Sequence, residues 1–485
     1  MTMNSIQILQ YEETKKVKNI RTREEFLSNC SRWNPYFIFV TIAMGVNWGL
    51  SGFFLVAPAY ISSAEFKDNN TEFWKVQDEF ALNSTWLNLP EYVATSFSAG
   101  NLIIGPVFSA LSDRYGRRGV TIISILWMGL GGIACAIVPN FETLLIARFI
   151  QGSFYAPTTL VTWVLCSETI PRKTHSKASV IFGMSWIFGS ALVAPAAYLF
   201  PNWRHLLVVL AVPNLVLGIF LFFTLEESLE YLLLVKDKKS AMRLIDKIQR
   251  REERIIEIDI DSMMSNAEKK RMANQNSSAS FFWHFKSNPK FVILIGICTY
   301  MSFTSTLLHN AMALTSTVIS VGNAHVNFVL SSLVEIPSYL TVPMLQKWLG
   351  KIYTLFLFHS VTAISNIFLS FLSSELIFHS VFWFLAKFAC SSAFMCILIL
   401  GSQEFPVECR NISIGICATI GNIGAVIAPQ LELLNHIRPN LMFQVFAVCS
   451  GFATFLSLAI PKSEKLDQVG SVRDNTQELD NVQRK

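Results

Sequence analysis

A chain of 485 residues with 52% apolar side chains and only 15% charged ones lies far below the charged share of about 25% usual in soluble domains, which excludes an ordinary water-soluble fold. Its 39 Phe gather in runs such as Phe53-Phe54-Leu55-Val56 and Leu221-Phe222-Phe223-Thr224, so lipid is the expected solvent. The formal charge of +5 calls for no nucleic acid.

Residues 1–34 are polar and charged, with no short apolar core before a small-residue cleavage site, and read as a cytoplasmic segment without a removed leader. A helix needs about 20 apolar residues to cross the hydrocarbon core. Twelve such stretches begin near Pro35, Leu89, Val120, Phe141, Ala178, Trp203, Phe291, Val326, Ile352, Ile377, Ile412 and Met442. The expected fold is an all-α membrane protein of twelve transmembrane helices in two six-helix bundles. The first bundle covers 35–225, with an outer loop at 62–88, and the second 291–461. A cytoplasmic helical linker at 226–290 joins them, and a polar cytoplasmic tail occupies 462–485. In the linker, Leu232, Ala241, Leu244, Ile245 and Ile248 recur at the spacing of an amphipathic surface helix.

Of the 39 Lys and Arg, this assignment places only Lys67, Lys75, Arg204 and Arg438 outside and Arg148 and Lys387 within helices. The positive-inside rule then puts both termini in the cytoplasm. Asn69-Asn70-Thr71 and Asn83-Ser84-Thr85 make Asn69 and Asn83 candidate glycosylation sites in the outer loop. The nine Cys fall mainly in helices, where thiols act as small apolar groups, so neither a disulfide framework nor a metal site is expected.

The halves repeat. Leu111-Ser-Asp-Arg-Tyr-Gly-Arg-Arg-Gly119 aligns with Leu345 to Tyr353, pairing Gly116 with Gly350, at an offset of 234 residues. The segment at Arg148 pairs with that at Lys387, and Glu168 with Glu404, at offsets of 239 and 236. Three matches in one order imply duplicated six-helix units, an architecture that suits alternating access to a central site. At the cytoplasmic rim, Asp113, Arg114, Arg117 and Arg118 follow a helix end where Gly116 permits a tight turn. Glu168 and Glu404 close the fourth and tenth helices, and Glu404 has Lys351 and Arg410 as possible partners that would form and break during rocking. For Arg117 and Arg118, gating and a purely topogenic role weigh equally. Acids contribute little to topology, which favours the gate for Asp113 and Glu404.

These segments resemble the major facilitator superfamily and, within it, the organic cation and anion transporter family. Leu111 to Arg118 looks like the signature loop between the second and third helices, with Ser109 where the family has Gly. Ala147 to Gly152, Asn202 to Leu206, Val334 to Pro337, Ala386 to Phe388 and Glu404 to Asn411 are similar to further family segments, in order and through both halves. In Glu226 to Leu232, Leu229 and Glu230 replace the family's Pro and Arg, which marks a divergent member.

Glu335, in the eighth helix, is an ionisable group in lipid, with Lys387 and Arg148 as candidate partners. The resemblance implies a structural pairing for it, because the family keeps this Glu whatever the charge of its substrates. In the eleventh helix the family's cation carriers place an acid, and many anion carriers an Arg, where this chain has the neutral Asn422. Asn47, Trp48, Tyr155, Trp163, Tyr300, Phe303 and Asn310 are further candidates to line a cavity, since aromatic faces hold organic cations and flat anions. Packing is the commoner role for any one of them, and His309 is more naturally a satisfied polar group than a proton relay.

The first helix has no acid before Glu65, which favours uniport or exchange over proton coupling. No phosphate loop, catalytic carboxylate pair or metal cluster is found, so no enzyme activity or cofactor is expected. The expected protein is a monomeric plasma-membrane carrier of small organic ions or zwitterions. A sugar-porter-like or proton-coupled carrier, or a receptor or scaffold that no longer transports, is the alternative.

Overall fold

The computed structural model describes residues 17–31, 33–62, 73–82, 89–250, 256–275, 277–317, 323–372, 377–406 and 409–460. The sequons at Asn69 and Asn83 and the tail at 462–485 lie outside them. Ten of the described helices are long and apolar enough to cross a bilayer, and Tyr92–Ile103 with Gly105–Tyr115, bent by 40°, makes an eleventh span. The remaining expected span is broken: Phe141–Ser153 passes into a π-helical turn, Pro157–Val161, and resumes as Thr162–Thr169. Pro157 lacks the N–H that a regular turn would use, and π turns accommodate such defects.

Local chemistry fixes where the helices start. Asn34 Oδ1 accepts the Tyr36 N–H at 3.0 Å, with Pro35 at the first helical position. Asn288 caps Pro289–Leu314 in the same way, through the Lys290 N–H at 3.1 Å. Asn followed by Pro is a strong start signal, because Asn fills an orphan donor and Pro has none to fill. The helices expected at Pro35, Phe141, Trp203 and Ile377 begin there, and the others begin within a few residues of the expected position.

The chain divides into two compact units. One comprises 1–57, 99–196 and 202–273, the other 58–98, 197–201 and 274–485. In the first, linker and N-terminal residues share a core with the spanning helices: Phe26, Leu229, Ala241 and Ile245 bury alongside Val40, Ile125 and Leu221. Strand Val17–Ile20 pairs in parallel with Ile256–Ile258, the one two-stranded ribbon among the otherwise helical described residues. The linker opens with two helices, Leu229–Leu234 and Lys238–Gln249, separated by a turn in which Lys236 takes φ 62°, and continues through helices Ile260–Gln275 and Ser277–Ser287. Leu232 therefore lies on the first and the other four expected apolar residues on the second.

In the second unit, Leu294, Cys298, Leu355, Ala389 and Leu400 form one core and Met312, Leu369, Trp383, Ala386 and Phe446 another. Residues 58–98 and 197–201 join this unit through specific contacts. Thr317 Oγ1 donates to the Ala59 carbonyl at 3.1 Å, Tyr60 stacks on His325 at 5.4 Å, and Gln430 Nε2 donates to Thr95 Oγ1 at 2.9 Å. The unit bounds therefore differ from the 35–225 and 291–461 bundles read from the sequence. The linker helices Leu229–Leu234 and Lys238–Gln249 bury their apolar face in the first unit, and the described residues of 58–98 belong with the second.

Candidate functional site

In the first unit, helix Gly105–Tyr115 stops at Gly116, whose φ of 98° and ψ of 150° belong to a region essentially reserved for glycine. The turn releases Arg117 and Arg118 at the start of Arg117–Ile137. Glu227 Oε1 accepts both of their N–H groups, at 2.9 and 3.0 Å, setting a carboxylate on a helix N-terminus where the dipole favours it. A Cβ at residue 116 would collide with Glu227 Oε2, so the turn and the carboxylate together require glycine. Arg118 reaches the far end of another helix, donating from Nε to the Leu225 carbonyl at 2.6 Å and from Nη2 to that of Phe222 at 2.7 Å. Arg114 is exposed, and its carbonyl accepts the Tyr231 hydroxyl at 3.0 Å.

Arg117 is buried and serves two acids: Asp113 at 2.9 Å, one turn earlier, and Glu168 at 3.3 Å, at the end of the fourth helix. The Asp113 side chain is 75% exposed and that of Glu168 15%, so Glu168 is the anchored partner and Asp113 the one in water. Behind Glu168 lies a second layer. Arg23 donates to the Glu168 carbonyl at 3.3 Å and pairs with Glu230 at 3.1 Å, while Lys270 bridges Glu230 and Glu24 at 3.5 and 3.3 Å. Burial tends to raise the Glu24 carboxyl, but Arg172 and Lys270 outweigh it and hold the group below its ordinary value. Glu230, the departure from the family's Arg, thus has two cations waiting for it.

The second unit holds a reduced copy. Gly350 adopts φ 81° and ψ 165° and releases Lys351, whose Nζ meets Glu404 Oε1 at 3.1 Å. This is the counterpart of Arg117 with Glu168. The equivalent of Asp113 is the cation Lys347, so the acid in water is missing here. Arg410 turns its Nε to the Phe405 carbonyl at 3.3 Å, leaving Lys351 as the observed cation on Glu404.

Within the apolar zone, the eighth helix breaks between Ala324–Leu333 and Ile336–Leu349, and Glu335 occupies the break. Lys387 Nζ lies 3.0 Å from its Oε1, both side chains being buried. Lys387 also donates to the His309 carbonyl at 3.4 Å, and the His309 ring nitrogen stands 3.8 Å from Glu335 and 3.5 Å from Ser391 Oγ. Of the two expected partners of Glu335, Lys387 is the observed one. Arg148 instead donates to Gln151 Oε1 and the Phe54 carbonyl, both at 2.9 Å, within the first unit.

The cavity candidates separate into three groups. Asn47 is fully buried, donating to the Thr158 carbonyl at 2.9 Å and Thr162 Oγ1 at 3.0 Å, and so clamps the first helix to the π turn. Tyr300 gives its hydroxyl to the Cys449 carbonyl at 3.1 Å, and Asn310 bonds back to the Thr306 carbonyl at 2.8 Å. Packing and local bonds therefore engage these three. Trp48 and Trp163 flank the buried Phe182 at 5.4 and 5.2 Å, and both, like Tyr155, are half-buried. In the second unit, Asn422 sits where Arg410–Gly421 gives way to Ile423–Ile427, half-buried and with no side-chain hydrogen bond among the described residues. Phe303 lies beside it, because its carbonyl lies close under Gly424.

Sequence reasoning missed Glu227, Arg23 and Ser391 and read Glu230 only as a departure from the family, because their partners are remote in the chain. It also passed over Glu432, a buried acid in the 3-10 segment Ala428–Leu433 of the eleventh helix. Its apolar flanks were the available signal.

The sequence matches the Major Facilitator Superfamily over residues 37–429. A Caenorhabditis elegans chain described as a transporter is 28% identical, covering 92% of this chain and 90% of its own length. The Drosophila melanogaster organic cation transporter protein is 26% identical over 76% of this chain and 68% of its own. Human solute carrier family 22 member 2 is 23% identical over 83% and 70%. The partially occluded, inward-open structure of the xylose transporter XylE from E. coli superposes with a TM-score of 0.65 at 15% identity, covering 90% of this chain and 99% of that one.

Proposed function

Because the chain belongs to the Major Facilitator Superfamily, we propose that it carries small organic ions or zwitterions across the plasma membrane by alternating access, as a uniporter or exchanger with cytoplasmic termini. The observation that carries this reading is the duplicated clamp, Arg117 with Glu168 at 3.3 Å and Lys351 with Glu404 at 3.1 Å. Each joins the cation after a glycine turn to the acid ending the helix two spans later. The second clamp is partly solvated, with the Lys351 side chain 38% exposed, and such pairs are individually weak, so it can break and re-form as the bundles rock; the first is more buried, and opening it would require its charges to regain water. The organic cation transporter and solute carrier 22 relatives favour organic ions over sugars as cargo.

The test is competition uptake in cells expressing the chain, screened over organic cations, anions and zwitterions, with a charge swap at the second clamp. Lys351→Glu and Glu404→Lys are each expected to cut uptake at least tenfold, and the double variant to recover a substantial part. Uptake equal in parent and single variants, or absent from the parent for every class, would sink the carrier reading.

A further inference from the structure

Helix Ser277–Ser287 belongs to none of the sites above. It stops one residue before Asn288, the cap of spanning helix Pro289–Leu314, and so lies at the boundary of the membrane. One side is held by the protein: Phe281 and His284 are buried, with their rings 5.8 and 5.5 Å from that of Phe291. The other side is uncovered. Phe282 is 70% exposed and Phe285 47%, and Lys286 is exposed beside them. Spaced at i, i+3 and i+4, these three form one stripe. Trp283, half-buried, flanks it.

Along the chain, the charge flanking this stripe has one sign. From Lys269 through Val334 the sequence contains no Asp or Glu, and its cations are Lys269, Lys270, Arg271, Lys286 and Lys290. Of these, Lys286 and Lys290 are the pair that brackets the start of the span, and both are exposed.

We propose that the Phe282–Phe285–Lys286 stripe is a lipid-binding surface: the two rings enter the acyl boundary of the cytoplasmic leaflet, and Lys286 with Lys290 holds acidic lipid headgroups. Two large exposed rings on a helix that abuts the start of a transmembrane span are costly in water and well placed in the interface, where aromatic residues collect. The ammonium groups, with no neighbouring carboxylate in the sequence to neutralise them, make the surface selective for anionic over zwitterionic lipid. This surface would fix the cytoplasmic end of the seventh helix relative to the leaflet.

The experiment uses the full chain in vesicles of equal parts phosphatidylcholine and phosphatidylserine, with a benzophenone side chain at position 282 or, as control, at exposed position 246 in the linker. Photolysis followed by mass spectrometry identifies what is attached. Lipid adducts at 282 but not at 246, drawn mainly from phosphatidylserine, are expected. Lys286→Gln, and separately Lys290→Gln, should each lower the phosphatidylserine preference about fivefold, the effect of one basic residue at an anionic surface. The proposal is overturned by a protein adduct or none at 282, by equal lipid labelling at 246, or by an unchanged preference in both variants.

Discussion

At the residue scale, the two signature turns differ in a way that can be measured. Gly116 and Gly350 share the same glycine-only backbone region, but only Gly116 has a neighbour, Glu227, where a Cβ would stand. Backbone strain of this kind costs roughly 1–3 kcal/mol. Gly350→Ala should carry that cost alone, because nothing lies within 4 Å of its Cβ position. Gly116→Ala should carry it together with displacement of the carboxylate that caps Arg117 and Arg118. Melting of the detergent-purified variants checks this: Gly116→Ala is expected to melt lower than Gly350→Ala, and the reverse order would refute the capping role of Glu227. The glycines, Arg117 with Lys351 and Glu168 with Glu404 were legible in the sequence because they repeat at offsets of 234 and 236, and Asp113 because it stands in the first copy of that loop. The pairing of Arg23 with Glu230 was not, since a partner 207 positions away leaves no local pattern. Asn47 was visible as a polar residue among apolar ones, but spacing cannot distinguish a helix clamp from a ligand contact.

At the scale of the element, apolar length revealed the spans, and it was blind to how they break. The π turn at Pro157–Val161, the break at Glu335 and the join at Asn422 each interrupt an unbroken apolar run. Each places a polar or titratable residue where backbone hydrogen bonding is already disturbed, which lipid tolerates only when protein covers it. The eleventh helix reaches its neighbour through small residues: a Cβ on Gly424 would run into the Phe303 carbonyl and the Leu307 backbone. Gly424→Val should therefore push the eleventh helix off the seventh and shift Asn422, lowering uptake at least tenfold. Gly451→Val, in the twelfth helix with open space around its Cβ position, should leave uptake within about twofold of the parent. Loss of uptake in both, or in neither, would show that the close approach at Gly424 does not set the site.

At the scale of the whole molecule, a carrier's preference for cargo charge depends on the fixed charges its interior leaves uncompensated. Of the buried charges in the second unit, Glu335 is balanced against Lys387 at 3.0 Å, so that pair contributes little field at a distance. Asn422, half-buried and without a hydrogen-bonded partner among the described residues, adds no charge of its own. A single new charge there would be felt without a counterion. A unit charge about 10 Å from its target at an effective dielectric of about 20 is worth roughly 1.7 kcal/mol, more than tenfold in binding. Asn422→Asp should thus raise uptake of organic cations relative to anions by about tenfold, and Asn422→Arg should move the ratio about as far the other way. Competition uptake with one cation and one anion of similar size reads this directly. A ratio identical in the parent and both variants, each present at the cell surface, would remove residue 422 from the transport pathway.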